Sequence, residues 1–261
     1  MRTLKLTLAY DGTGLVGWQR QATGVSVQGL LEEACAAIAG RQVTVHGSGR
    51  TDAGVHAAAQ VASVRLESRL PEATLARALN ARLPRAVRIL EVEPVDETFH
   101  ARFSARAKTY RYVIWNGEQV SPFAVRYVWH VRDGLDVPAM GAAAQAFVGR
   151  HDFAALQSTG SIVKSAVRSL TSARVFVWDG EGPGPVPGVA AVDPGCRVVV
   201  LEVTADGFLR HMVRALAGTL VEVGTGRRGA AGVAGLLAGR HRGSAGVTAP
   251  AAGLWLMRVD Y

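Results

Sequence analysis

Leu4, Leu6, Leu8 and Tyr10 alternate with Thr3, Lys5, Thr7 and Ala9 at the start of the chain. A period of two places the four larger side chains on one face, so the segment reads as a half-buried strand. Residues 58–66 alternate again. Further strands are expected at 43–46, 87–92, 109–115, 167–178 and 197–204, with a closing strand through Leu254, Leu256 and Val259. Helical spacing falls between them. Ser26 caps a helix carrying Val27, Leu30, Leu31, Ala34 and Ile38, and Gly40 ends it. Pro71 opens a helix through about Leu83, and residues 138–148 form an Ala-rich helix. Residues 209–223 form another, with Met212, Val213, Leu216, Ala217 and Leu220 on its buried side and Arg214 expected there too, and residues 230–238 a shorter one. Strand–helix–strand order thus occurs twice, in alternating strands rather than continuous Val/Ile runs. That pattern predicts an α+β fold of two α/β halves, 1–105 and 106–261, with mainly antiparallel sheet and helices on one face. A Gly/Pro connection at 179–185 interrupts the second half.

Charge narrows the partner. The chain has 261 residues, 29 cations against 21 anions and a formal charge of +8; three of the cations are Lys and the other 26 are Arg. Such a balance favours a polyanion, either nucleic acid or an anionic membrane face. Apolar residues at 49% supply a core, which excludes a disordered acidic tail, and two cysteines exclude a disulfide scaffold. Cys35 and Cys196 lie far apart and form no C-x-x-C pair, as suits a reducing cytoplasm. Neither a signal-peptide pattern nor an apolar run long enough for a membrane span is present, so the reading is a cytoplasmic protein.

Two glycine patterns invite a nucleotide reading and fail it. Gly12-x-Gly14-x-x-Gly17 follows a strand, but the helix that should carry the third glycine begins only near Ser26. Gly224-x-Gly226-x-x-Gly229 lies between two helices and reads as a C-cap and turn. The seven histidines show no H-x-x-x-H or H-E-x-x-H spacing, so neither a metal nor a cofactor is expected.

The segment richest in chemistry is Gly47-Ser48-Gly49-Arg50-Thr51-Asp52-Ala53-Gly54-Val55-His56-Ala57. Its glycines let backbone approach a ligand or adopt positive φ. Asp52, two residues from Arg50 and among small neighbours, is either an ionised carboxylate available for catalysis or an Asp capping a turn. The residues from Gly49 to Ala57 resemble the catalytic motif of the tRNA pseudouridine synthase A family. Tyr10-Asp11-Gly12-Thr13-Gly14 with Gly17-Trp18-Gln19 is similar to that family's first signature. Lys108-Thr109-Tyr110-Arg111-Tyr112, Gly149-Arg150-His151-Asp152-Phe153, Phe208-Leu209-Arg210-His211-Met212-Val213-Arg214 and Ala249-Pro250-Ala251-Ala252-Gly253-Leu254 follow in the family's order.

The resemblance implies a cofactor-independent isomerase that converts uridine to pseudouridine at positions 38 to 40 of the tRNA anticodon stem-loop. It implies Asp52 as the catalytic aspartate, Tyr110 as the stacking ring, Arg214 as the aspartate-pairing arginine and Leu254 packed against the target base. Arg50, Thr51 and His56 join the substrate site with the motif. It also implies a homodimer, and two related halves that form one continuous sheet with a central RNA cleft. Candidate phosphate contacts are Arg20, Arg50, Arg210, Arg227, Arg228, Arg240 and Arg242, in loops or beside motifs. Relative to the family, the Gly/Pro connection at 179–195 is long, and residues 154–160 are poor in aromatic and Cys side chains. Two other readings use the same features: a non-catalytic tRNA-binding module, and a glycosidase pairing Asp52 with Asp11 that would release uracil.

Overall fold

A computed structural model describes residues 1–158, 163–180, 184–187, 189, 195–239 and 245–261. The chain divides into two units, residues 1–106 with 256–261, and residues 107–255. Both are α+β, and among the described residues their strand pairing is mostly antiparallel. Among the described residues, no helix is long and apolar enough to cross a membrane.

The first unit contains β1 (Arg2–Tyr10), α1 (Val27–Ala39), β2 (Val45–Gly47), β3 (His56–Leu66), α2 (Glu72–Asn80) and β4 (Val87–Val95). β1 lies between β4 and β3, and β2 pairs with β3. The alternation of β1 is realised: Leu4, Leu6 and Leu8 are fully buried and Tyr10 nearly so. Ser26 Oγ accepts the Gly29 amide at the start of α1, and Gly40 ends that helix at φ 70°. α2 stops at Asn80, short of the expected Leu83. The Asn80 side chain instead donates to the Ile89 carbonyl and accepts the Ile89 amide, both at 2.8 Å, which fastens the helix end to β4.

The second unit contains β5 (Ala107–Asn116), β6 (Trp129–Val131), α3 (Val137–Ala144), β7 (Gly149–Asp152), β8 (Val167–Trp178), β9 (Arg197–Ala205), α4 (Met212–Gly224) and α5 (Ala230–Gly239). The closing strand β10 (Leu254–Asp260) begins in this unit and ends in the first. The order β5-β9-β8-β7 is antiparallel, with β6 parallel to β5. β9 departs from the expected alternation, because Val198, Val199, Val200 and Leu201 are all buried. A strand between two others with both faces covered carries a continuous apolar run.

α4 begins at Met212 rather than at Leu209. His211 has φ 64°, a left-handed conformation that no helix interior tolerates. The helix is buried almost all round, including Ala215, Gly218, Thr219, Val221 and Val223 as well as the expected face. α3 gives way at Gln145 to a tighter 3-10 turn instead of continuing to Val148. In the Gly/Pro connection, the Pro185 carbonyl accepts from Arg111 on β5 at 2.6 Å. Parts of that connection, the end of the 154–160 stretch, Arg240, His241 and Arg242 lie outside the described residues.

Candidate active site

Asp52 sits on the loop from β2 to β3, and the segment joining β1 to α1 holds that loop in place. The Trp18 amide donates to the Thr51 carbonyl at 3.0 Å, Gly54 N–H to Leu15 O at 3.3 Å, and Val55 N–H to Asp52 O at 3.2 Å. Gly12 and Gly17 make this approach possible. A Cβ on Gly12 would lie 2.1 Å from the Val55 carbonyl oxygen, and one on Gly17, at φ 96°, would lie 2.4 Å from that of Thr51. The glycines that failed as a dinucleotide fingerprint therefore serve backbone-to-backbone packing against the Asp52 loop. Gly47 does the same for the Trp18 indole, 2.3 Å from its hypothetical Cβ.

A buried polar network lies beneath the loop. The Tyr10 hydroxyl and Thr51 Oγ1 are 2.9 Å apart, and Gln60 Nε2 donates to the Tyr10 hydroxyl and to the Gly49 carbonyl. Ser48 Oγ donates to Gln60 Oε1 at 2.6 Å, and that oxygen also accepts the Val61 amide. Tyr10, Ser48, Thr51 and Gln60 are all buried, so each satisfied partner spares the cost of a lone polar group in the interior. Asp52 between them is half-buried and Arg50 is exposed. The loop thus presents its carboxylate while its flanks Thr51 and Val55 are anchored inside.

Burial pushes the Tyr10 phenol from 10 up to about 12, partly offset by its bonds to Thr51 and Gln60. The neutral phenol is favoured in the folded state, so this contribution is complete below pH 10 and is lost as pH rises from 10 through 12. Tyr10→Phe should therefore lose stability less steeply than wild type over that window. The difference should reach on the order of 2 kcal/mol at its upper end, read by urea denaturation at a series of pH values. Parallel curves for the two proteins would show that Tyr10 is not the titrating group.

His56 has no exposed surface. Its Nδ1 accepts the Gly12 amide at 3.0 Å and lies 3.1 Å from Asp11 Oδ1. It joins the β1–α1 segment to the start of β3, a structural place beside the Asp52 loop. Asp11 also takes the Thr13 amide at 2.9 Å, closing an Asx turn.

In the second unit, Tyr110 on β5 is 7% exposed and meets Phe208 edge-to-face with ring centroids 5.0 Å apart. Arg214 lies in the first turn of α4 and is half-buried, one of the few residues of that helix that are not fully buried. Its Nε donates to the Ala249 carbonyl at 2.6 Å while the Ala249 amide donates to the Arg214 carbonyl. Residues 246–254 run past α4 with further anchors. The Gly246 amide donates to Thr219 Oγ1, the Tyr112 hydroxyl donates to the Pro250 carbonyl at 2.7 Å, and Gly253 packs against the Tyr112 ring. Burial raises the Tyr112 phenol well above its usual range, and the Arg214 charge opposes that shift. Leu254 follows directly, 6% exposed at the first position of β10. Tyr110, Arg214 and Leu254 thus occupy one unit and Asp52, Arg50, Thr51 and His56 the other.

The candidate phosphate contacts differ in their commitments. Arg20 pairs with Glu32 at 2.8 Å, Arg227 with Asp133, and Arg228 with Glu222 at 2.8 Å. Arg210 is exposed. Among the described residues, no group of three or more His, Cys, Asp or Glu side chains could hold a metal ion. Sequence alone did not assign the roles of Tyr10, Ser48, Gln60 and Tyr112. Their type was visible, but apart from the Val61 amide their partners lie 11 to 138 residues away along the chain.

Known proteins match this chain over its length. A family model described as tRNA pseudouridine synthase matches residues 7–104 and 143–261. A tRNA pseudouridine synthase A of Solidesulfovibrio magneticus is 47% identical over 266 residues, spanning all of this chain and 92% of that protein. The proteins of that name from Syntrophotalea carbinolica and Geotalea uraniireducens are 43% and 41% identical over 261 residues. They match all of this chain and 97% and 100% of their own lengths. On that agreement along both units, the chain belongs to the tRNA pseudouridine synthase family, isomerases that act on tRNA.

Proposed function

We propose that this chain isomerises uridine to pseudouridine at positions 38 to 40 of the tRNA anticodon stem-loop, as a cytoplasmic homodimer, with Asp52 as the reacting carboxylate. The reaction breaks the N1–C1′ bond, turns the uracil and joins C5 to C1′. A proton leaves C5 and one is gained at N1, so atoms and oxidation state balance without a co-reactant. The target base must leave its stack to be reached. Tyr110 holds the extruded ring by stacking, Leu254 supplies an apolar wall, and Arg214 keeps the carboxylate ionised and oriented. Asp52 then acts by addition to the ring, by attack at C1′, or by removal of the 2′ proton. All three routes require one ionised carboxylate on a fixed support.

The observation that supports this reading is the loop itself. A half-exposed carboxylate is held between two buried flanks, by backbone contacts that two glycines permit. A turn-capping Asp would not need that scaffold. The experiment is incubation with an unmodified tRNA transcript, digestion to nucleosides, and separation by retention time, with carbodiimide derivatisation to map the position. Pseudouridine at 38 to 40 without free uracil is expected. Free uracil would establish a glycosidase instead, and binding without product a non-catalytic module.

Phosphate contacts make affinity fall linearly with the logarithm of salt concentration. Arg50→Gln, at an exposed candidate contact, should lower that slope by about one. Arg228→Gln should leave it nearly unchanged, because Arg228 is committed to Glu222. Filter binding across a salt series reads both, and equal slopes for the two variants would reverse the assignment.

A further inference from the structure

Phe103 is 76% exposed, although it belongs to a turn with little freedom to move. The His100 amide donates to Ser104 Oγ and the Ser104 amide to the His100 carbonyl. His100 Nδ1 accepts the Arg102 amide at 3.1 Å, and the Ala101 amide donates to Ser63 Oγ on β3. The Tyr261 hydroxyl donates to the Ala101 carbonyl at 2.7 Å. A lone exposed ring is ordinary on a protein surface, but this one is held on a pinned turn beside other rings.

Its surroundings suit a particular ligand. The His100 ring lies 4.4 Å from the Phe103 ring, centroid to centroid, and the exposed His46 ring lies 4.9 Å from the His100 ring. The Arg102 guanidinium lies 5.6 Å from the Phe103 centroid. His46 is on β2, which leads directly into the Asp52 loop. Burial, and the nearby His46 and Arg102, hold the His100 imidazole below its ordinary range, so near neutral pH it adds a flat uncharged face. A row of aromatic and imidazole rings beside a guanidinium offers stacking to a base and a charge to its phosphate. A second protein would find there a small apolar area flanked by the exposed Arg102 guanidinium, in a chain already carrying a charge of +8.

We propose that His46, His100, Arg102 and Phe103 form a stacking platform for an unpaired nucleobase of the tRNA, separate from the residues assigned to the chemistry. This rests on the reading that the chain acts on tRNA. The test compares wild type, Phe103→Ala, Phe103→Trp and Arg102→Gln for equilibrium binding to an unmodified tRNA transcript. Phe103→Ala should weaken binding roughly 5- to 150-fold, the range that stacking of one base supports. It should melt within a degree or two of wild type, because the ring is exposed. Arg102→Gln should lower the salt slope by about one. In Phe103→Trp, tRNA should quench the emission that this variant adds over wild type.

Unchanged affinity in Phe103→Ala, or unquenched added emission in Phe103→Trp at saturating tRNA, overturns the platform. So does a change in sedimentation of Phe103→Ala with affinity intact, which would mean that the patch meets a second copy of the chain. Formation of pseudouridine by wild type is measured separately. If wild type forms none but Phe103→Ala weakens binding, the platform stands and the isomerase reading falls. If wild type is active and Phe103→Ala binds normally, the reverse holds.

Discussion

Asp52→Asn should bind tRNA within a few-fold of wild type and form pseudouridine slower by roughly 10⁴-fold or more. Asn matches the carboxylate in shape but offers neither a negative charge to remove a proton nor a nucleophilic oxygen. The contacts that fix the loop survive the change. Trp18 N–H still meets Thr51 O, Val55 N–H still meets Asp52 O, and the Tyr10–Thr51 hydroxyl pair is untouched. The melting temperature should therefore move little, and binding that depends on arginines and stacking should persist. Single-turnover assays with enzyme in excess, read by nucleoside chromatography, isolate the chemical step from product release. A variant retaining a tenth of wild-type turnover would remove Asp52 from the chemistry. A variant that loses binding in proportion to turnover would make it a substrate contact instead.

How much of this was legible in the sequence depends on how far apart the interacting residues lie. The strand through Leu4, Leu6, Leu8 and Tyr10 and the helix from Ser26 to Gly40 follow from periods and caps that are local along the chain, and both formed as read. Asp52 stood out because its neighbours are small and glycine-rich over one short segment. Arg214 shows where local pattern misleads. Helical spacing placed it on a buried face, but α4 is enclosed on nearly all sides, and the arginine occupies one of its few positions that are only half-buried. His211 shifted the helix start by adopting a left-handed backbone, uncommon for any residue but glycine. The cluster of His46, His100 and Phe103 was invisible, since β2 and the turn after β4 meet only once the sheet has formed. The β1–α1 glycines were visible and had no local explanation. Their purpose lies in carbonyls about forty residues further on.

That purpose gives the second large effect. Gly17→Ala should cost about 2–5 kcal/mol of stability and reduce turnover by roughly 10²-fold in the protein that still folds. Two penalties act together. The residue must hold φ 96°, where an L side chain is strained, and its new Cβ would start 2.4 Å from the Thr51 carbonyl oxygen and 2.9 Å from the Asp52 carbonyl carbon. The obstruction is backbone on both sides, so relief requires the Asp52 loop to move by a large fraction of an ångström. Gly14→Ala supplies the comparison within the same segment. Its φ of 76° carries a similar conformational cost, but nothing lies within 4 Å of the added carbon. It should lose about 1–2 kcal/mol and keep turnover near wild type. Urea denaturation and single-turnover rates on the pair separate backbone strain from displacement of the carboxylate. Equal losses of turnover in the two variants would show that the close approach at Gly17 does not position Asp52. A loss confined to Gly17→Ala would show that the fixed loop, as well as the carboxylate it carries, is required for the reaction.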